Sequence, residues 1–270
     1  MVIDFHTHAF PDKIASRTIE ALLSNVQRVE GITATAYTNG TLDSLRASMA
    51  HKGVDVSVVL PIATTIRQST SINNFAKENT EKDGIISFGS VHPMQEDWEQ
   101  VLEQIKAMNL LGIKLHPEYQ QFYVDSPESI RILQKCEELG LLVVFHSGKD
   151  IGIEPPVHCT PKRLKNTLKY VSGKGIIAAH MGGWRMWDEV EEHLVGTDIM
   201  FDTAFSLFEM EDEQIMRIIK NHSSKKIVFG TDSPWEDAKD TITKIKSLPI
   251  TEEEKDDIFF KNAIKLLKLN

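Results

Sequence analysis

Residues 1–10 read MVIDFHTHAF. An apolar run leads straight into His6 and His8, with one residue between them. The first strand of a doubly wound nucleotide-binding sheet is usually followed by a glycine-rich phosphate turn. Here His-Thr-His stands in that place, so two imidazoles rather than a phosphate cradle follow the first strand.

Seven similar runs follow 2–6 (VIDFH). They are 54–60 (VDVSVVL), 84–91 (GIISFGSV), 112–116 (GIKLH), 141–146 (LLVVFH), 175–180 (GIIAAH), 198–204 (DIMFDTA) and 226–232 (KIVFGTD). Each is rich in Val, Ile and Phe or bounded by Gly, as strands buried on both faces are. Helical patterns alternate with them at 42–51, 71–82, 96–109, 129–139, 161–170, 186–194 and 211–221, and a last one spans 256–267. Thr160 before Pro161 reads as an N-cap and first helical residue, and Gly140 as a C-terminal stop. Phe259, Ala263, Leu266 and Leu267 form one apolar stripe on the last helix. Eight strands alternating with helices over about 250 residues predict an α/β chain closed into a (β/α)8 TIM barrel. No linker, repeat or low-complexity stretch divides it, so 1–270 reads as one domain. The 9–40 stretch is longer than a minimal connection. It reads as an insertion near the barrel mouth, with a helix over 14–26 and a flap, ATAYTNG.

The formal net charge is −9 over 270 residues. That acidity disfavours nucleic acid and anionic membranes and leaves a small-molecule substrate as the expected partner. Two cysteines, Cys136 and Cys159, make no disulfide framework. No signal-peptide pattern precedes the first strand, and no apolar run approaches the roughly 18 residues of a membrane span. The expectation is a cytoplasmic protein.

A barrel of this kind carries its active site at the C-terminal ends of its strands. His6 and His8 end strand 1, His92 follows strand 3, and His116, His146 and His180 end strands 4, 5 and 6. Asp232 ends strand 8. Alternate strand residues share a face, so His6 and His8 are expected to point inward together. With His146 and Asp232 they make a nitrogen-and-oxygen cup for a divalent ion. Zn2+ suits that set, and Mn2+ or Fe2+ also bind such ligands. Such an ion acidifies a bound water and polarises a substrate oxygen. His92 reads more simply as a structural residue. Gly148 and Gly182-Gly183 read either as ordinary turns or as close approaches of backbone to a ligand. Trp184 and Trp235 flank these motifs and are expected to wall an apolar or ring-shaped substrate, whereas Trp187 reads as core.

DFHTHAFP, GIKLHPEYQ, VVFHSG, AAHMGG and VFGTDSPW occur in an order that resembles the amidohydrolase superfamily. The resemblance is closest to the amidohydrolase-related branch, which contains aminocarboxymuconate semialdehyde decarboxylase, resorcylate decarboxylases and lactone hydrolases. The tail FFKNAIKLLKL is similar to that branch's closing helix. The resemblance implies metal ligation by His6, His8, His146 and Asp232, with Asp232 also taking a proton from metal-bound water. It implies that His180 is the acid/base beside that water or a ligand of a second metal, so one or two ions are expected. Lys114 stands on the fourth strand, where some members carry a carbamylated lysine bridging two metals. A plain buried lysine near Asp4 or Glu118 is the alternative. His116, Lys114 and Trp235 are the expected substrate contacts.

Two reactions fit this resemblance. The first is hydrolysis of a small ester, lactone or amide by a metal-activated water. The second is non-oxidative decarboxylation of an aromatic or unsaturated carboxylate. A cationic clamp for the carboxylate separates them, with Arg67, Arg185 and Lys149 as candidates. Few arginines near the mouth favour the hydrolase. A barrel that binds without turnover ranks below both, because it leaves His180 without a task. Proteins of this kind are frequently homodimers, although no surface pattern here specifies one.

Overall fold

A computed structural model of the chain describes residues 1–269. Among the described residues there are eight strands: β1 (Ile3–Thr7), β2 (Val56–Val59), β3 (Ile85–Ser87), β4 (Gly112–Leu115), β5 (Leu142–Phe145), β6 (Ile176–Ala178), β7 (Met200–Asp202) and β8 (Ile227–Val228). Twelve α-helical segments accompany them among the described residues. They are α1 (Asp12–Glu30), α2 (Leu42–Lys52), α3 (Ser69–Asn79), α4 (Trp98–Ala107), α5 (Pro117–Gln120), α6 (Pro127–Leu139), α7 (Pro161–Thr167), α8 (Trp187–His193), α9 (Asp212–His222), α10 (Ala238–Ser247), α11 (Glu252–Asp256) and α12 (Asn262–Leu267).

Every strand pair is parallel, in the orders β1-β2-β3 and β4-β5-β6-β7-β8. Single bridges join the two arcs. Gly89 N donates to Gly112 O (2.8 Å) and Lys114 N to Gly89 O (2.9 Å) between β3 and β4. Phe5 N donates to Phe229 O (2.8 Å) and His8 N to Ser233 O (2.6 Å) between β1 and β8. The ring is therefore the expected (β/α)8 barrel, held at two seams by a few bonds each.

Two apolar clusters follow from strand alternation. Val143, Phe145, Phe201 and Ile227 belong to the larger cluster, which also holds the helix residues Leu133, Val190 and Ile218. Ile3, Phe5, Val58, Phe88, Val144 and Ile177 come from strands all around the ring and meet inside it, with Ala263 and Leu267 of α12 closing the bottom.

One irregularity decides where β1 aims its side chains. Asp4 pairs with Ser57 and Thr7 with Val59, so three steps on β1 face two on β2. The extra residue is a bulge, and a bulge re-aims the side chains beyond it. Strict alternation would send Ile3 and Phe5 to the face opposite His6 and His8. Instead Ile3 and Phe5 fill the interior, and His6 and His8 also turn inward at the mouth.

Several sequence expectations needed correction. The last helix is three segments, with a π-helical turn, Asp257–Lys261, between α11 and α12. α10 went unread: its buried face is only Ala238, Thr241, Ile242 and Ile245, a short stripe in a stretch otherwise rich in Lys, Asp and Thr. The helix expected over 14–26 runs over the whole of α1 and ends at Gly31. No helix among the described residues is long and apolar enough to cross a membrane.

Asn262 ties α12 to the base of β8. Its buried amide donates to Ser224 O (2.7 Å) and Ile227 O (2.8 Å). Replacing it by Ala leaves two buried carbonyls without their donor. Asn262→Ala should lower stability by about 1–3 kcal/mol, read from the urea midpoint at unchanged m-value.

Candidate active site

The mouth of the barrel is built from strand ends, as expected. His6, His8, Lys114, His116, His146, His180, Asp232 and Trp235 all line one cavity of about 660 Å³. His6, Lys114, His116, His146 and His180 are buried. His92 is buried but does not line the cavity, and its Nδ1 accepts from Met94 N (3.3 Å), a structural role.

The hydrogen-bond partners assign the tautomers. His6 Nδ1 contacts Asp202 Oδ2 at 2.8 Å, His8 Nδ1 contacts Leu60 O at 2.9 Å, and His180 Nδ1 contacts Ala204 O at 2.9 Å. Each partner is an acceptor, so each Nδ1 donates and each Nε2 offers a lone pair to the cavity. His6 Nε2 lies 3.2 Å and His8 Nε2 3.0 Å from Asp232 Oδ1. His180 Nε2 lies 3.0 Å from His146 Nδ1. Lone pairs that meet in this way need a cation between them, either a proton or a metal ion.

A divalent ion fits this donor set. Ligands about 2.1 Å from a tetrahedral ion lie roughly 3–3.5 Å from one another, which is how far His6 Nε2 and His8 Nε2 each lie from Asp232 Oδ1. These three ligand atoms group within 4.8 Å. Burial holds His6 and His146 well below the ordinary imidazole pKa, with cationic neighbours adding to the effect, so both favour the neutral, ligating form. Burial alone would raise the pKa of Asp232. Its close imidazole neighbours, His8 first, together with the positive charge of Lys114 outweigh it and hold the carboxyl below its usual range.

His146 stands apart from the His6, His8 and Asp232 trio. Its ring stacks on His116 at 4.2 Å, and it groups with His116 and Asp150. His116 Nδ1 accepts from Tyr119 N (3.3 Å), so its Nε2 carries the proton and donates to Asp150 Oδ2 (3.2 Å). The His116–Asp150 contact is thus a proton-donating pair facing the cavity.

Lys114 lies in the ligand layer. Its Nζ is 3.1 Å from His6 Nε2, and burial lowers its pKa to about 8 against the pull of Asp202 and Asp232. It is not the partner of Asp4 or Glu118. Asp4 accepts from Thr231 N (3.0 Å) and Thr231 Oγ1 (2.6 Å), and Glu118 accepts from His158 N (2.8 Å).

Asp202 and Asp150 were missed by sequence reading. Asp202 sits at the end of β7, where its acidic side chain was legible, but its pairing with β1 spans 196 residues. It also accepts from His180 N at 2.8 Å, so one carboxylate orients two site histidines. Burial raises its pKa to about 7. His180 (φ 61°) and Asp232 (φ 56°) both hold left-handed backbone. Such conformations cost of order 1 kcal/mol in a non-glycine residue and cluster at functional sites. Gly148 (φ +85°) packs so closely that a Cβ would lie 2.2 Å from Trp184 N, so it serves the approach of backbone to backbone.

Of the three clamp candidates, only Lys149 lines the cavity. Arg185 stacks on Trp184 at 4.1 Å and pairs with Glu209 (3.0 Å) and Glu30 (3.4 Å). Trp184 and Trp235 wall the cavity, and Trp187 is core, with Nε1 donating to His180 O (3.1 Å).

A family model described as Amidohydrolase matches residues 3–269. The chain belongs to the amidohydrolase family. A search of curated protein sequences gave no match. Among solved structures, the barrel is similar to 5-carboxyvanillate decarboxylase LigW from Sphingomonas paucimobilis, at 14% identity and a TM-score of 0.72, covering 100% of this chain and 99% of that one. It is similar to 2,6-dihydroxybenzoate decarboxylase from Rhizobium, at 14% identity and a TM-score of 0.68, covering 99% and 98%. It is also similar to 5-carboxyvanillate decarboxylase from Novosphingobium aromaticivorans, solved with manganese and 4-hydroxy-3-methoxy-5-nitrobenzoic acid, at 14% identity and a TM-score of 0.69, covering 100% and 96%. At this identity the likeness is one of fold.

Two metal predictions follow from the donor geometry. The purified protein should carry about one divalent ion per chain by mass spectrometry, and His6→Ala/His8→Ala should lose it. Asp202→Asn should weaken metal retention about 10- to 100-fold in a chelator competition, because it leaves one accepting oxygen where His6 Nδ1 and His180 N use two.

Proposed function

We propose that this amidohydrolase-family enzyme is a divalent-metal-dependent carboxy-lyase that releases CO2 without oxidation from an aromatic or unsaturated carboxylate. The observation that carries this reading is the division of the cavity. Its charged groups, Lys114, Lys149, Asp150 and Asp232, stand at the strand ends, while Phe10, Leu60, Ile62, Phe75, Trp184 and Phe205 are among its apolar walls. A localised carboxylate loses solvation in such a place, and it regains energy as its charge disperses into departing CO2. The solved neighbours that are decarboxylases support the same choice.

His6, His8 and Asp232 would hold the metal, with His146 and His180 beside it. When bound, it supplies a Lewis acid for the substrate's oxygen atoms. Lys149 is placed to attract the carboxylate. The C–C bond to the carboxyl carbon breaks, CO2 leaves, and the electron pair stays on the substrate carbon. A proton replaces the lost group, so carboxylate plus proton gives product plus CO2. His180 is the proton carrier: its Nδ1 proton is committed to Ala204 O, so its Nε2, which faces the cavity, would take up a solvent proton and pass it to that carbon.

Hydrolysis of an ester or lactone is the second reading. The observation favouring it is Asp232, held as a carboxylate beside the ligand atoms and able to accept a proton from water.

The two readings separate on a substrate panel with Mn2+- or Zn2+-loaded protein. Hydroxybenzoates and unsaturated acids should release CO2, and in D2O the product should carry one deuterium at the carbon that lost it. His180→Asn should lower kcat about 10²- to 10⁴-fold while retaining metal. Turnover of lactones alone would instead establish the hydrolase.

A further inference from the structure

The cavity is larger than a single ring requires. An apolar cavity of about 150 Å³ already holds benzene, and this one measures about 660 Å³. α1 and the segment after it supply a large share of its lining and roof the mouth.

α1 presents Ile14, Thr18, Leu22 and Val26 to the cavity, one residue every four, which is a single helical stripe. A separate stripe, Ala15 and Ile19, is buried. The helix also carries Asp12, Lys13, Arg17, Glu20, Arg28 and Glu30, and none of these lines the cavity. A roof over a hydrophilic substrate would be expected to turn some of them inward. The one polar member of the stripe, Thr18, donates its hydroxyl to Ile14 O (2.8 Å).

A second wall repeats the pattern. Ile72 and Phe75 of α3 line it. Its polar neighbours bond among themselves: Thr64 Oγ1 donates to Gln68 Oε1 (2.8 Å) and Ser71 Oγ to Gln68 O (3.0 Å). Meanwhile Ile14 is 37% and Ile32 49% exposed. Large apolar side chains that line a cavity and stay this accessible gain energy when an apolar group covers them.

We propose that the substrate carries a bulky apolar substituent, such as an alkyl chain or a second ring, seated beneath α1. Its carboxylate end meets the charged floor, and that half of the assignment rests on the carboxy-lyase reading. The charge segregation of the cavity thus describes an amphipathic substrate rather than a small polar ring acid.

The test is calorimetric binding to Mn2+-loaded protein, using 4-n-alkylbenzoates from methyl to hexyl and the matching 4-n-alkylbenzamides. The expected result is a Kd that falls about fourfold per added methylene in both series, with benzoates tighter at every length. Ile14→Gln/Leu22→Gln should flatten that dependence while keeping the metal content and the affinity for 4-methylbenzoate within about twofold. A wild-type Kd independent of chain length would overturn the apolar compartment while leaving the carboxylate floor standing. An unchanged slope in the metal-loaded double variant would overturn its placement under α1. Benzamides binding as tightly as benzoates, with the slope intact, would overturn the carboxylate reading and support the compartment.

Discussion

Between Asp4 and Thr7, β1 carries one residue more than the stretch of β2 it pairs with, and the site depends on that mismatch. A barrel needs apolar side chains inside its lower half and, for metal chemistry, polar ones inside its mouth. A regular strand cannot serve Phe5 and His6 on the same face, because alternate residues point apart. The bulge resolves the conflict, so Ile3 and Phe5 complete the interior cluster and His6 and His8 reach the cavity a few ångströms above. The same strand closes the ring against β8 through Phe5 and His8. Barrel closure and ligand placement therefore share the same few residues.

The floor above the bulge is an arrangement of electron-pair donors held too close to coexist without positive charge between them. Asp202, Leu60 O and Ala204 O hold the Nδ1 protons of His6, His8 and His180, so three Nε2 lone pairs face the cavity. Burial disfavours protonating His6 and His180. What remains is a cation-binding cluster, whose strained members, His180 and Asp232, are held by surrounding bonds such as His180 N to Asp202 Oδ1. The roof supplies the opposite character. Its α1 stripe is apolar but for Thr18, whose hydroxyl is spent on Ile14 O. The cavity thereby sorts a ligand by polarity along one axis, which is the basis for both functional proposals.

Much of this was legible in the chain. Eight apolar runs, most of them ending near a histidine or an aspartate, were enough to place the strands and to put the site at one end of the barrel. The short observed strands fall inside the expected runs, except that β1 runs one residue further to Thr7, because β-pairing ends where the chain bends into the mouth loops. Arg185 illustrates the limit. Beside AAHMGGW it looked like a clamp, yet it stacks on Trp184 and pairs with Glu30 of α1 and with Glu209, a partnership between segments far apart in sequence. The paucity of mouth arginines pointed toward hydrolysis, whereas the cavity's separation of charge from apolar wall points toward decarboxylation.

By itself, the sequence determined the parallel α/β architecture and the set of imidazoles and carboxylates at the strand ends. Hydrophobic periodicity and residue chemistry are local properties that need no partner to be read. Tertiary structure alone decided which way β1 faces, because register is a relation between two strands. It decided that Asp202 orients His6 across 196 residues and that His116 gives its proton to Asp150. It also decided that Lys114 joins the ligand layer rather than Asp4 or Glu118. These outcomes depend on distances of about 3 Å between residues far apart in the chain, and only closure of the barrel sets those distances.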